Sequence, residues 1–187
     1  MSPFVEALEA ISKILLIAGT LIGGGWAVHE YLDKKQDARV AESIGYVRRF
    51  SAEPLLGAQS RIGQAWYAAR SQLHALTATP TASQEEFTRR KRQLVMSVVE
   101  TSSIAPNASK NRGIVSDVDL IVSFFDELRI CVKSQLCDDQ TARNFFTPYA
   151  ERFFCLHAPF IDWKSKNYSA GYAEAMRGFV SAKACPS

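Results

Sequence analysis

The chain is poor in the residues that most often carry chemistry. It holds 3 histidines and 4 cysteines among 187 residues. There is no Cys-x-x-Cys pair, and His29, His74 and His157 do not fall at finger-like spacing. That excludes the common zinc frameworks, and no metal is expected. No glycine loop leads into a Lys-Ser/Thr pair, and no nucleophile elbow is present, so phosphate-loop and hydrolase signatures are absent too. A net charge of +3 is too small to mark a nucleic-acid-binding surface. Fixed-period repeats and alternating strand patterns are also missing. No cofactor is implied.

What is present is one apolar segment near the N-terminus, Ile14 to Val28. It carries no charge and is bounded by Lys13 and by His29-Glu30. About 15 residues fall short of the roughly 20 that span a hydrocarbon core. Snorkelling of Lys13 lengthens the segment, and Trp26 and Tyr31 are aromatics of the kind found at headgroup level. The segment reads first as a single membrane-spanning helix, which makes the lipid bilayer a partner. Two other readings stay open. One is a cleaved signal peptide ending near Gly25-Trp26-Ala27, against which Glu6 and Glu9 stand. The other is a buried helix of a soluble core.

Lys34, Lys35, Arg39, Arg48 and Arg49 follow the segment, whereas only Lys13 precedes it closely. The positive-inside rule then places the N-terminus outside and the rest of the chain in the cytoplasm. There the cysteines are expected reduced, with Cys131 and Cys155 as small core hydrophobes. An even cysteine count also suits two disulfides in an oxidising compartment.

Nearly every segment after the anchor reads as helix. The expected divisions are residues 1–29 for the terminal segment and membrane helix, 30–52 for a juxtamembrane helix, and 53–187 for a helical bundle. Val40, Ile44 and Val47 recur at helical spacing, with no proline between Trp26 and Glu53. A helix is expected from Pro54 to Leu76 on a stripe of Ile62, Trp66, Ala69, Leu73 and Leu76. Ser83 and Glu86 form a capping box for a helix reaching Thr101. Residues 102–113 read as a loop. The next helix starts at Ser116 or Asp117 and stops near Leu136. Asp138 or Asp139 caps another, which Pro148 should bend or divide and Pro159 should kink or end. A last helix is expected over residues 169–182. The fold class is all-α: an N-terminal transmembrane helix followed by a bundle of about five helices.

Three groups of residues stand out. Gly19 and Gly23, with Thr20 and Gly24, form a small-residue face through which helices associate in lipid, so a homo-oligomer is expected. Arg89-Arg90-Lys91-Arg92 is the densest basic run. It reads as a solvated helix face beside Glu85 and Glu86, or as a patch for anionic headgroups or RNA phosphates. Arg152 and His157 are spaced as Arg-x4-His. That spacing resembles the motif of HEPN-family ribonucleases, and the resemblance implies that the histidine would shuttle a ribose hydroxyl proton and the arginine would stabilise charge on the phosphate.

The stretch Phe124-Phe125-Asp126-Glu127-Leu128, through Cys137-Asp138-Asp139, to Phe145-Phe146-Thr147-Pro148-Tyr149 and Ala158-Pro159-Phe160-Ile161 carries a resemblance. With one N-terminal membrane helix and a charged helix before it, the layout resembles a family of small bacterial membrane proteins of unknown function. It is also similar to the HEPN-like membrane accessory protein of type VI-B CRISPR systems. The resemblance covers most of the chain. It implies a protein of the bacterial inner membrane, acting in antiviral defence by oligomerising in the membrane. Arg152 and His157 would be the HEPN residues, with Phe153 where that family usually has a polar side chain. Three functions follow as expectations: a membrane effector or adaptor with a protein partner, a membrane-tethered HEPN-type ribonuclease, or a scaffold of a membrane complex.

Overall fold

The structure is a computed structural model that describes residues 3–78, 83–101, 113–181 and 184–185; the side chains of residues 3–19, 21, 22, 77 and 101 lie outside the description. Among the described residues the chain is all-α, with seven helices and no strand. They are α1 Pro3–Phe50, α2 Leu55–Ala68, α3 Arg70–Ala78, α4 Gln84–Thr101, α5 Val115–Lys133, α6 Asp139–Asn167 and α7 Glu174–Arg177.

The terminal segment and the juxtamembrane helix are one continuous element, α1. Among the described residues no helix is long and apolar enough to cross a membrane. The expected span at Ile14–Val28 falls largely on residues whose side chains are outside the description. The contact face of α1 differs from the expected Val40-Ile44-Val47 stripe. Ser43 and Phe50 are buried and Arg39, Val40, Tyr46 and Val47 half-buried, while Ile44 is exposed. The helix packs back onto its own bundle along that seam.

The core is a cluster of rings. Phe50 at the end of α1 lies 4.8 Å from Phe124 on α5, 5.5 Å from Phe146 and 4.7 Å from Tyr149 on α6. Phe125 meets Phe179, beyond α7, at 5.5 Å. Tilted and edge-on pairs of this kind add roughly 0.5–1.5 kcal/mol each beyond the area they bury. The i, i+3, i+4 spacing of Ile121, Phe124, Phe125 and Leu128 puts all four on the inward stripe of α5, and all are buried.

Three expected elements differ. The helix expected from Pro54 to Leu76 breaks at Ala69, between α2 and α3. Arg70 Nη1 donates to the Tyr67 carbonyl at 3.1 Å there, which satisfies an acceptor the break exposes. Conversely, α6 runs through both prolines without dividing, which removes the division expected at Pro148 and leaves the alternative of a bend standing. Pro148 is exposed, and so is Asn144, whose carbonyl its missing N–H leaves without a helical donor. Packing of Phe146, Ala150, Phe153 and Phe154 on either side of the ring holds the helix together. The last expected helix, residues 169–182, shrinks to the four residues of α7. Ala173 enters it in the left-handed conformation (φ 59°), which an uninterrupted helix cannot contain.

Two of the three caps read from the sequence form, at Ser83 and Asp138, whereas α5 starts at Val115 with no cap from Ser116 or Asp117. Ser83 Oγ accepts from the Glu86 N–H at 3.2 Å. Asp138 accepts from the Thr141 N–H at 2.8 Å and the Thr141 hydroxyl at 2.6 Å. Those two bonds, then one from Gln36, hold the Asp138 carboxyl below its ordinary value.

Candidate functional site

The joint between α1 and the bundle is the most elaborated polar feature. Arg39 Nε donates to the Gln135 carbonyl at 2.8 Å, and its Nη2 to Gln135 Oε1 at 3.0 Å. Gln36 Nε2 donates to Asp138 Oδ2 at 2.8 Å. The Asp138 N–H donates to Ser43 Oγ at 2.9 Å. The turn these groups clasp links α5 to α6. Gln135 takes a left-handed conformation there (φ 59°), and a disulfide between Cys131 and Cys137 closes the turn. Beside the clasp lies a groove of about 620 Å³ flanked by Tyr46, Ile130 and Leu136. Ile130 and Leu136 are both well exposed.

The second disulfide joins Cys155 on α6 to Cys185 in the tail. No cysteine is free. The reduced, hydrophobic role expected for Cys131 and Cys155 is therefore corrected. Both are bonded, because the fold brings each within bonding reach of a cysteine that sequence spacing alone did not pair. The even count was the one available signal.

Arg152 and His157 do not converge. Five residues along an α-helix are about 140° apart in projection, so the two side chains leave α6 on different sides. Arg152 is exposed, whereas His157 is 1% exposed. The His157 Nδ1 donates to the Phe153 carbonyl at 2.8 Å, and its Nε2 accepts from the Trp66 indole N–H at 3.0 Å. Indole N–H is only a donor, which fixes the neutral tautomer with the proton on Nδ1. Burial pushes the imidazole pKa down to about 4, against a smaller opposing effect of the Phe153 carbonyl. Both ring nitrogens are thus occupied within the core, and neither is placed to take a substrate proton. The signal was in the sequence: His157 shares helical spacing with Phe146, Ala150, Phe153, Phe160 and Ile161, the inward stripe of α6.

Gly23 and Gly24 lie in α1 with open space where a Cβ would sit. Among the described residues nothing packs on them. Thr20 is exposed, and Gly19 falls outside the described side chains. The basic run divides. Arg90 pairs with Glu86 one turn back, and Arg89 faces solvent. Lys91 and Arg92 turn towards α6 and line a separate groove there.

No protein-family model, curated protein or solved structure matches the chain. Among the described residues no group of three His, Cys, Asp or Glu side chains could hold a metal.

Two part-buried ion contacts escaped the sequence reading. Arg61 grips Asp117 with both carboxylate oxygens, at 2.6–3.1 Å. Asp119 accepts from Lys164 and, at 2.6 Å, from the Tyr172 hydroxyl. The first ties α2 to α5 and the second ties α5 and α6 to the tail segment. Asp117 therefore takes a partner in the neighbouring helix rather than capping its own. Pairing across helices depends on which faces meet, and no local pattern reports that.

Proposed function

We propose that the chain is a membrane-tethered, self-associating helical adaptor or effector rather than an enzyme. The observation that carries this is the N-terminal half of α1. Residues 23–38 are helical and exposed throughout, Trp26, Val28, Tyr31 and Leu32 included. A helix without a packing surface is marginal in water, so this one calls for a partner. The apolar segment Ile14–Val28 in the same helix suits a bilayer. Gly19 and Gly23, with Thr20 and Gly24, suit a second copy of the helix. The clasp then couples whatever the stalk does to the bundle, through Gln36, Arg39 and Ser43. A role in antiviral defence enters this proposal through the layout resemblance alone.

Two cues disagree about the side of the membrane. Lys34, Lys35 and Arg39 favour a cytoplasmic bundle. Two disulfides that use all the cysteines favour an oxidising compartment. We place the bundle on the oxidising side. Disulfides must survive a redox environment, whereas a charge bias tolerates exceptions. Whether the apolar segment is retained as an anchor or cleaved as a leader, the bundle would face the same compartment.

Alkylation of freshly isolated membranes, with and without prior reduction, tests the side. Labelling only after reduction supports the oxidising compartment; labelling of native thiols returns the bundle to the cytoplasm. The particle mass in detergent tests self-association. Gly19→Leu with Gly23→Leu should lower that mass while leaving membrane insertion intact. An unchanged mass would remove the glycine face from the assembly.

The buried, doubly bonded His157 supports the non-enzymatic reading over the HEPN-type ribonuclease. RNA cleavage by the purified protein that disappears in His157→Ala, with the fold retained, would reverse that preference.

A further inference from the structure

At the end of the bundle away from the clasp, a groove of about 320 Å³ lies between α4 and the C-terminal part of α6. Its charged lining is Lys91 and Arg92 from α4 and Lys166 and Asp162 from α6, and its ring lining is Phe87 and Trp163. We propose that this groove binds a small organic anion that carries an aromatic ring beside its charge. The proposal goes beyond the tethering function, and only its exclusion of lipid headgroups rests on that reading.

Charge is the first argument. Three cations and one carboxylate line the groove, and Asp162 also lies 3.7 Å from Arg177, outside it. Four consecutive basic residues on a helix spread around its circumference. Here Arg90, which lines a different groove beside α3, pairs with Glu86, while the two that line the α4–α6 groove share it with one more cation and a single acid, Asp162. Like charges gathered round a concavity repel one another, and an anion there relieves the repulsion.

The rings supply the second argument. Trp163 is held between Phe160, at 6.0 Å, and Tyr168, at 5.3 Å, so its indole is fixed before any ligand arrives. A fixed ring loses little entropy on binding, which favours stacking of a flat group against it. The volume is at the low end of small-molecule sites, which suits a single ring with one charged group.

Position is the third argument. Residue 163 is on the order of 35 Å along α6 from Asp138, which marks the clasp and therefore the stalk end. The headgroups of the membrane that holds the stalk are out of reach. A dissolved anion is the occupant that fits.

The test uses the full chain in a non-ionic detergent, titrated with phenyl phosphate and with inorganic phosphate by calorimetry. Phenyl phosphate should bind saturably, and inorganic phosphate about tenfold more weakly. Arg92→Gln with Lys166→Gln should weaken phenyl phosphate by about a hundredfold; both side chains are exposed and among the described residues neither makes an ion pair or hydrogen bond, so the fold should be retained. Arg89→Gln, on the same helix but outside the groove, should leave binding within about twofold. Trp163→Leu should bring the two probes to similar affinity. Absence of saturable phenyl phosphate binding would overturn the proposal. So would an equal loss in Arg89→Gln, which would assign the effect to net charge and not to the groove.

Discussion

Residues 23–38 and residues 39–50 belong to one α-helix with an unbroken backbone, yet they live in different surroundings. The first stretch is exposed and, among the described residues, touches the bundle only at its end, where Gln36 reaches Asp138. The second buries Ser43 and Phe50, and it is fastened by Arg39 to Gln135 and by Ser43 to Asp138. Backbone hydrogen bonding is the same in both. The difference shows that in this chain the helix is a carrier, while packing decides what is held. The half that packs is part of the domain. The half that does not pack is available to a bilayer or to a second chain.

The most damaging way to break this contrast is at Phe50, where α1 enters the ring cluster. Phe50→Ala should destabilise the bundle by about 4 kcal/mol, as large-to-small changes in packed cores do. Chemical denaturation followed by near-ultraviolet dichroism would measure it. A loss under about 1 kcal/mol would mean that α1 is not held by its rings.

Opening the Cys155–Cys185 bridge should come next. Its separation of 30 residues corresponds to about 3.5 kcal/mol of chain entropy in the unfolded state. Cys155→Ser with Cys185→Ser should lower stability accordingly. Bundle stability that is indifferent to the pair would show that the tail is dispensable.

Acid provides the third test. His157 sits at about 4 when folded and near the ordinary 6.5 when unfolded. The unfolded chain therefore binds more protons between these values. The contribution is complete above pH 6.5 and is lost as pH falls towards 4, by roughly 3 kcal/mol in all. Stability measured across that window should slope downward into acid in the wild type. The slope should flatten in His157→Gln. An equal slope in both proteins would assign the acid response to other groups.

A smaller effect is expected at the clasp. Asp138→Ala removes the α6 cap and the Gln36 contact together, and should reduce stability by about 1–2 kcal/mol. Protease sensitivity should rise within α1 near Gln36 before it rises in the core. By contrast, Tyr31→Ala and Leu32→Ala in the exposed half should leave bundle stability within about 0.5 kcal/mol while weakening assembly. A stability loss at Leu32 as large as that at Phe50 would erase the contrast between the two halves.

Much of the architecture was legible because it is periodic. The stripe Ile121, Phe124, Phe125, Leu128 announces the inward face of α5, and the Ser83 and Asp138 caps announce helix starts. The break at Ala69 and the persistence of α6 through Pro148 were not legible. The first is met by the Arg70 side chain bonding the Tyr67 carbonyl, and the second rests on the packing of buried residues on either side of Pro148. The Arg-x4-His spacing was visible but misleading, since it records order along the chain and not the 140° that separates the two side chains.

The sequence by itself determined an all-α chain, the apolar N-terminal segment and the capping of α4 and α6, because each rests on contacts within a turn or two. Only the tertiary structure decided which cysteines meet, that His157 bonds Trp66 in the core, and that Lys91 and Arg92 face Lys166 across a groove. Those pairings join residues far apart in the chain, and their free energy depends on which helix faces share a boundary. That boundary exists only once the ring cluster of Phe50, Phe124 and Phe146 has closed.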